Sequence, residues 1–164
     1  MKNTTIELLK ERGVTIDDMA ELVIELQKKY YTLTKDECIA SINSVLNKRE
    51  VQNAVLTGIT LDKLAEKNML EEPLLSILKR DEPLYGIDEI LALSITNIYG
   101  SIGLTNFGYL DKIKLGIIGK LNEDKNEHCN TFIDDLVAAI VAAACSKIAH
   151  SHKDNECAHN ENEC

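Results

Sequence analysis

Met19, Leu22, Val23 and Leu26 fall on one face of a helix, and Thr15, followed by Asp17 and Asp18, is placed to cap it. Helical spacing continues through most of the chain. Thr4 to Arg12 forms a short first helix, with Ile6, Leu8 and Leu9 apolar and Gly13 as its stop. Thr34 and Glu37 make a capping box for a helix that runs to about Lys48 and presents Cys38, Ile42, Val45 and Leu46. Arg49 to Asn68 reads as helical, with a break expected at Gly58 and with Thr60 recapping a segment that carries Leu61, Leu64 and Ala65.

Glu71 to Tyr85 holds both prolines and predicts a short helix between two turns, and Ile87 to about Tyr99 predicts an apolar helix ending near Gly100 and Gly103. Gly100 to Asn130 is glycine-rich and then polar, which predicts loops around one short element. Thr131 to about His150 is different, because Phe132, Ile133, Leu136, Val137, Ile140, Val141 and Ile148, with alanines between them, leave it almost no polar face. A helix of that kind is normally surrounded by others. The expected fold is therefore all-α, a multihelical bundle with this helix at its centre. It comprises one domain over residues 1–150 and a disordered polar tail over 151–164.

Composition narrows the function. A net charge of −9 and the lack of any basic run exclude nonspecific binding to a phosphate backbone. The first residues, MKNTTIELLKERG, lack the apolar core of a secretory signal. The longest unbroken apolar run, Leu136 to Cys145, falls well short of the roughly 20 residues that span a bilayer. The expected location is the cytoplasm, with contact at the inner face of the membrane allowed. Five cysteines with no CxxC pair fit reduced thiols, and the Cys and His residues of the tail match no zinc spacing.

Two acidic pairs carry the chemistry: Asp88-Glu89 at the start of one apolar helix and Asp134-Asp135 in the first turn of the central one. Any one such acid is ordinarily a helix-start residue favoured by the helix dipole. As pairs they do more, since neighbours about 100° apart let one carboxylate face the core while the other faces a cleft. Half-buried acids are costly unless neutralised, and a divalent cation held by oxygens from two helices is one remedy. Between the pairs, Phe107 to Lys114 followed by Gly116 and Gly119 supplies an acid, lysines and accessible backbone N–H groups suited to a phosphate. Lys112, Lys114 and Lys120 can equally form a solvated face.

The stretches GIDEILAL, FGYLDKIKLGIIG and TFIDDLVAAIVAAA, in that order, resemble the signature segments of phosphatidylglycerophosphatase A. The likeness is closest to its soluble branch, the low temperature requirement C proteins of Gram-positive bacteria, and extends over nearly all of residues 5 to 150. It implies an Mg²⁺-dependent phosphomonoesterase of glycerophospholipid metabolism. Asp88, Glu89, Asp111, Asp134 and Asp135 would be its catalytic carboxylates. Mg²⁺ would be held by Asp88, Glu89, Asp134 and Asp135, with Lys114 and Lys112 on the substrate phosphate. The chain departs from the family pattern at Ala92 and Ala139, where glycines stand, at Gly108, where an arginine stands, and at Leu115, where a proline stands. A phosphatase of soluble phosphomonoesters and a noncatalytic regulatory or structural protein are the alternative readings. The apolar helices further predict self-association.

Overall fold

Thr15 and Thr34 act as the sequence predicts. Each side-chain oxygen accepts the backbone N–H three residues on, and Asp18 and Glu37 return a carboxylate to the threonine N–H, closing two capping boxes. The structure is a computed structural model that describes residues 1–124 and 128–160, with side chains to His152. It contains α1 (Lys2–Glu11), α2 (Ile16–Gln27), α3 (Lys35–Leu46), α4 (Arg49–Glu66), α5 (Leu74–Arg80), α6 (Ile87–Thr96), a 3₁₀ turn (Asn97–Tyr99), α7 (Gly100–Ile113), α8 (Ile117–Glu123) and α9 (Ile133–Asn160). Among the described residues there is no strand.

The helix that lacks a polar face is the centre. From Phe132 to Ser146 every residue of α9 and its entry is buried, and α2, α3, α4, α6, α7 and α8 all pack on it. Its alanines allow these neighbours to approach at short interaxial distance. The same need explains Gly58. The chain does not break there, and α4 is continuous through it. A Cβ at Gly58 would stand 2.5 Å from Leu136 Cδ1 and 2.9 Å from Phe132 Cβ, so the glycine is a packing residue that lets α4 lie against α9.

Two further regions differ from the sequence expectation. Gly100–Asn130 contains α7 and α8 rather than loops around one element. Phe107, Leu110, Ile118 and Leu121 are buried there, and their burial outweighs the poor helix propensity of the interspersed glycines. Beyond His150, where a disordered tail is expected, the backbone of α9 stays helical to Asn160, and residues 161–164 lie outside the described part.

Residues 87–113 form the one described stretch with the length and hydropathy to cross a bilayer, yet they are not a straight rod. Gly100 adopts φ +74° and ψ −162°, a conformation open to glycine, and turns the chain back. Ser146 Oγ donates to the Tyr99 carbonyl at 2.6 Å, which pins the turn against α9. Asp88 at the start of α6 and Asp111 near the end of α7 consequently return to the same end of the bundle, and α6 and α7 form an antiparallel hairpin along the central helix.

Candidate active site

The entry to α9 fixes the site. Phe132, in the N-cap position, has no side-chain acceptor for the first N–H groups of the helix, and Thr131 spends its hydroxyl on the Leu78 carbonyl at 2.7 Å. Asp62 of α4 supplies the missing cap from across the molecule. Its carboxyl accepts the Phe132 N–H on both oxygens and the Ile133 N–H on one, each at 3.2 Å. Arg12 and Glu66 secure the segment just before it. Arg12 donates to Glu66 at 2.6 Å, to the Cys129 carbonyl at 2.5 Å and to Asn130 Oδ1 at 2.8 Å, while Glu66 accepts the Cys129 N–H at 2.9 Å. Burial pushes the Asp62 carboxyl up to about 8, against the helix N–H groups and the Arg12 guanidinium, which favour its charged form. None of these residues stands out in the sequence, because each is a single polar residue among many.

The first turn of α9 then carries Asp134 and Asp135 into a cavity of about 300 Å³. Asp88 and Glu89 from α6, Asp111 and Lys114 from the end of α7, and Asp81 and Glu82 from the turn after α5 line the same space. Six of the seven residues to which the family resemblance gives roles, Asp88, Glu89, Asp111, Lys114, Asp134 and Asp135, thus converge there. Lys112 does not, being exposed on α7 and absent from the cavity wall. Asp81, Glu82 and Asn122 are lining residues that sequence reasoning did not find.

Lys114 reaches the cavity through an unusual backbone. It caps α7 in the left-handed region, at φ +51° and ψ +57°, a strained conformation for a side-chain-bearing residue. From there its ammonium donates to Asp111 Oδ1 at 2.8 Å and Asp134 Oδ2 at 2.9 Å, with Asp135 Oδ1 at 3.5 Å. Burial opposes the lysine's charge, but Asp134 and Asp111 outweigh it and hold its pKa above the ordinary range. Gly119 seats this turn. A Cβ there would be 2.5 Å from the Lys114 carbonyl oxygen, so only glycine admits the close approach.

The acids remain under-compensated. Burial raises Asp134 and Asp88, and burial together with the Asp134 charge raises Asp135 to about 8. Asp88 Oδ1 is buried and has no hydrogen-bond partner among the described residues. Nor do any three Asp, Glu, His or Cys groups among those residues already stand at metal-ligand spacing, since the Lys114 ammonium occupies the point where Asp111, Asp134 and Asp135 meet. Hard oxygen donors, excess negative charge and one orphaned carboxylate oxygen nonetheless suit a divalent cation.

An all-α bundle that gathers carboxylates and a lysine from separate helices around one cavity at the head of its central helix is a specific arrangement, and comparison with known proteins places it. Residues 6–150 match the phosphatidylglycerophosphatase A family, and the chain belongs to that family. It is 59% identical over 149 residues to the uncharacterized protein YutG of Bacillus subtilis (strain 168), covering 90% of each chain. The crystal structure of low temperature requirement C protein from Listeria monocytogenes is 57% identical and superposes with a TM-score of 0.90, over 93% of this chain and 96% of that one. The crystal structure of YpjQ from Bacillus subtilis is 55% identical with a TM-score of 0.89, over 93% and 95% respectively.

Proposed function

We propose that the protein is an Mg²⁺-dependent phosphomonoesterase acting in glycerophospholipid metabolism, with phosphatidylglycerophosphate, hydrolysed to phosphatidylglycerol and phosphate, as its substrate. The observation that carries this reading is the convergence of Asp88, Glu89, Asp111, Asp134, Asp135 and Lys114 on one cavity. Asp88, Glu89, Asp134 and Asp135 would hold the Mg²⁺, whose contribution when bound is to neutralise the charge that develops on the phosphoryl oxygens. Lys114 supplies a point charge to the phosphate, and Asp111, at 2.8 Å, keeps its ammonium aimed. A carboxylate of the cavity accepts the proton of the attacking water as the new P–O bond forms and the ester P–O bond breaks. The leaving oxygen is then protonated from solvent.

The lip of the cavity supports a lipid ester. Pro83 and the exposed Leu84 line it beside Asp88, offering apolar surface next to the phosphate position. One observation favours a soluble phosphomonoester instead, namely Gly108 at the position where the family carries arginine. The glycine is exposed and a Cβ there would meet nothing within 4 Å, so a phosphate-reading side chain is missing from open space one helical turn from Asp111. Phosphate release from phosphatidylglycerophosphate in mixed micelles, and from glycerol phosphate and other soluble monoesters, each with Mg²⁺ or with EDTA, tests the assignment. Mg²⁺-dependent release from the lipid is the expected result, release only from a soluble ester selects the second reading, and no release from any of them removes both.

Gly119→Ala provides a local check on Lys114. The new methyl group must displace the Lys114 carbonyl, so the ammonium loses its aim. The expected result is a fall of about tenfold to 100-fold in kcat/KM, the scale set by misplacement of about 1 Å, with the helical circular dichroism spectrum retained. An unchanged rate would show that Lys114 needs no fixed position.

A further inference from the structure

A side pocket of about 20 Å³, room for about one water molecule, adjoins the catalytic cavity. Asp81, Asn122, Thr131 and Asp134 line both spaces and so form the boundary between them. Hydrogen bonds fix that boundary. Thr131 donates its hydroxyl to the Leu78 carbonyl at 2.7 Å, which ties the last turn of α5 to the entry of α9. Asn130 donates to the Leu121 carbonyl at 2.9 Å, which ties α8 to the same entry. Asp81, capping α5, stands in the left-handed region at φ +47° and ψ +60°. Glycine is the ordinary residue at such a helix end, so an aspartate there keeps a carboxylate at the boundary against the backbone's preference. Its charge is felt on the cavity side. Burial is the main cause that raises the Asp88 and Asp134 carboxyls, and the Asp81 charge adds to it in both.

We propose that, within the phosphomonoesterase reading on which this depends, Asp81 is the general base and the water it activates sits in the side pocket. Among the described residues, Asp81 and Asp134 are the two acids that border both spaces. Asp134 has other work, since its Oδ2 accepts from Lys114 at 2.9 Å and its carboxyl belongs to the group assigned to Mg²⁺. Asp111 is held by the same ammonium at 2.8 Å. Glu82 pairs with Arg80 at 2.7 Å and borders the large cavity alone. His128 borders the side pocket alone, with its Nδ1 3.1 Å from Asp124 Oδ2. As the water oxygen bonds to phosphorus, one of its protons passes to the Asp81 carboxylate. The ester P–O bond breaks with its electron pair going to the leaving oxygen, which takes a proton from solvent. The Asn122 amide, lining the same two spaces, gives the water a second contact that orients it.

Two substitutions that suit the left-handed turn test the role of Asp81. Glycine adopts that conformation freely, and asparagine tolerates it while keeping the shape of the side chain, so Asp81→Gly and Asp81→Asn should both fold. Phosphate release with Mg²⁺ is measured on whichever ester the native chain hydrolyses. Each variant is expected to lose about 100-fold or more in kcat with KM little changed. The melting temperature and its rise on adding Mg²⁺ should be retained, which separates a base from a metal ligand. Sodium formate, compared with sodium chloride at equal concentration, should restore part of the rate of Asp81→Gly, because it supplies a carboxylate where the side chain was removed. It should not speed the native chain. A native chain that releases no phosphate from any ester removes the phosphomonoesterase reading and the role of Asp81 with it. With an active native chain, an Asp81 variant that keeps the native kcat or loses the Mg²⁺ response overturns the role of Asp81 alone. So does an Asp81→Gly variant that formate does not restore.

Discussion

Asp135→Asn is expected to lower Mg²⁺-dependent phosphate release about 100-fold or more, about 2.7 kcal/mol of barrier, while leaving the melting temperature unchanged or higher. The two halves of that result have one cause. Asp135 is 4% exposed, and its carboxyl stands next to Asp134 in a cavity whose acids outnumber its single lysine. Burial and the Asp134 charge already disfavour its ionised form, so the protein holds this carboxylate at a cost to stability. Asparagine keeps the shape and the oxygen, removes the charge, and leaves Lys114 its shorter contacts to Asp111 and Asp134. A residue that served only to anchor Lys114 would show the opposite pattern, with stability lost and the rate spared. The decisive readouts are phosphate release and the rise in melting temperature on adding Mg²⁺, which should be present in the native chain and absent in the variant. A variant that keeps both the native rate and the Mg²⁺ response would remove Asp135 from the site.

The residues of the site differ in how openly the sequence shows them. α9 is legible because an apolar stretch with no polar face has only one comfortable place, and Asp134-Asp135 at its head are conspicuous for the same reason. Asp88-Glu89 are legible as a pair opening a second apolar helix. Lys112 and Lys114 look equivalent as sequence, and only the left-handed turn at the end of α7 sends one to the cavity and the other to solvent. Periodicity carries no trace of such a turn. Gly58 misleads because glycine in a helical pattern suggests a break, whereas the close approach of Leu136 that requires it is a contact between helices far apart in sequence. Asp81 and Asn122 reach the cavity from a turn and from the short helix α8, and their positions follow from how those segments pack on α9. The hairpin is hidden for a related reason, since the fold-back depends on one residue, Gly100, in a stretch whose apolar content alone would suit a continuous helix.

The residue furthest from notice in the sequence should be among the most sensitive to substitution. Asp62→Ala removes the acceptor for the first N–H groups of the central helix, at a point where neither water nor another side chain replaces it, since Phe132 and Ile133 are fully buried. Leaving buried donors unpaired costs about 1–3 kcal/mol for each, partly relieved by local adjustment, so a loss of about 2–4 kcal/mol is expected. At about 2–4 °C per kcal/mol for a chain of this size, the melting temperature should fall by roughly 5–15 °C. The loss should also depend on pH in a definite direction. The Asp62 carboxyl lies at about 8 in the folded protein and near 3.9 when unfolded, so the folded state binds more protons between those values. Its contribution is complete below about pH 4 and declines as pH rises towards 8. The difference in stability between native chain and Asp62→Ala should accordingly be larger at pH 5 than at pH 8.5, as measured by urea unfolding at each. Asp62→Asn, which keeps one acceptor oxygen and cannot ionise, should lose less than the alanine variant and show no such trend of its own. An alanine variant as stable as the native chain at both pH values would mean that the head of α9 is held without Asp62, and that Arg12 and Glu66 alone place Asp134 and Asp135 in the cavity.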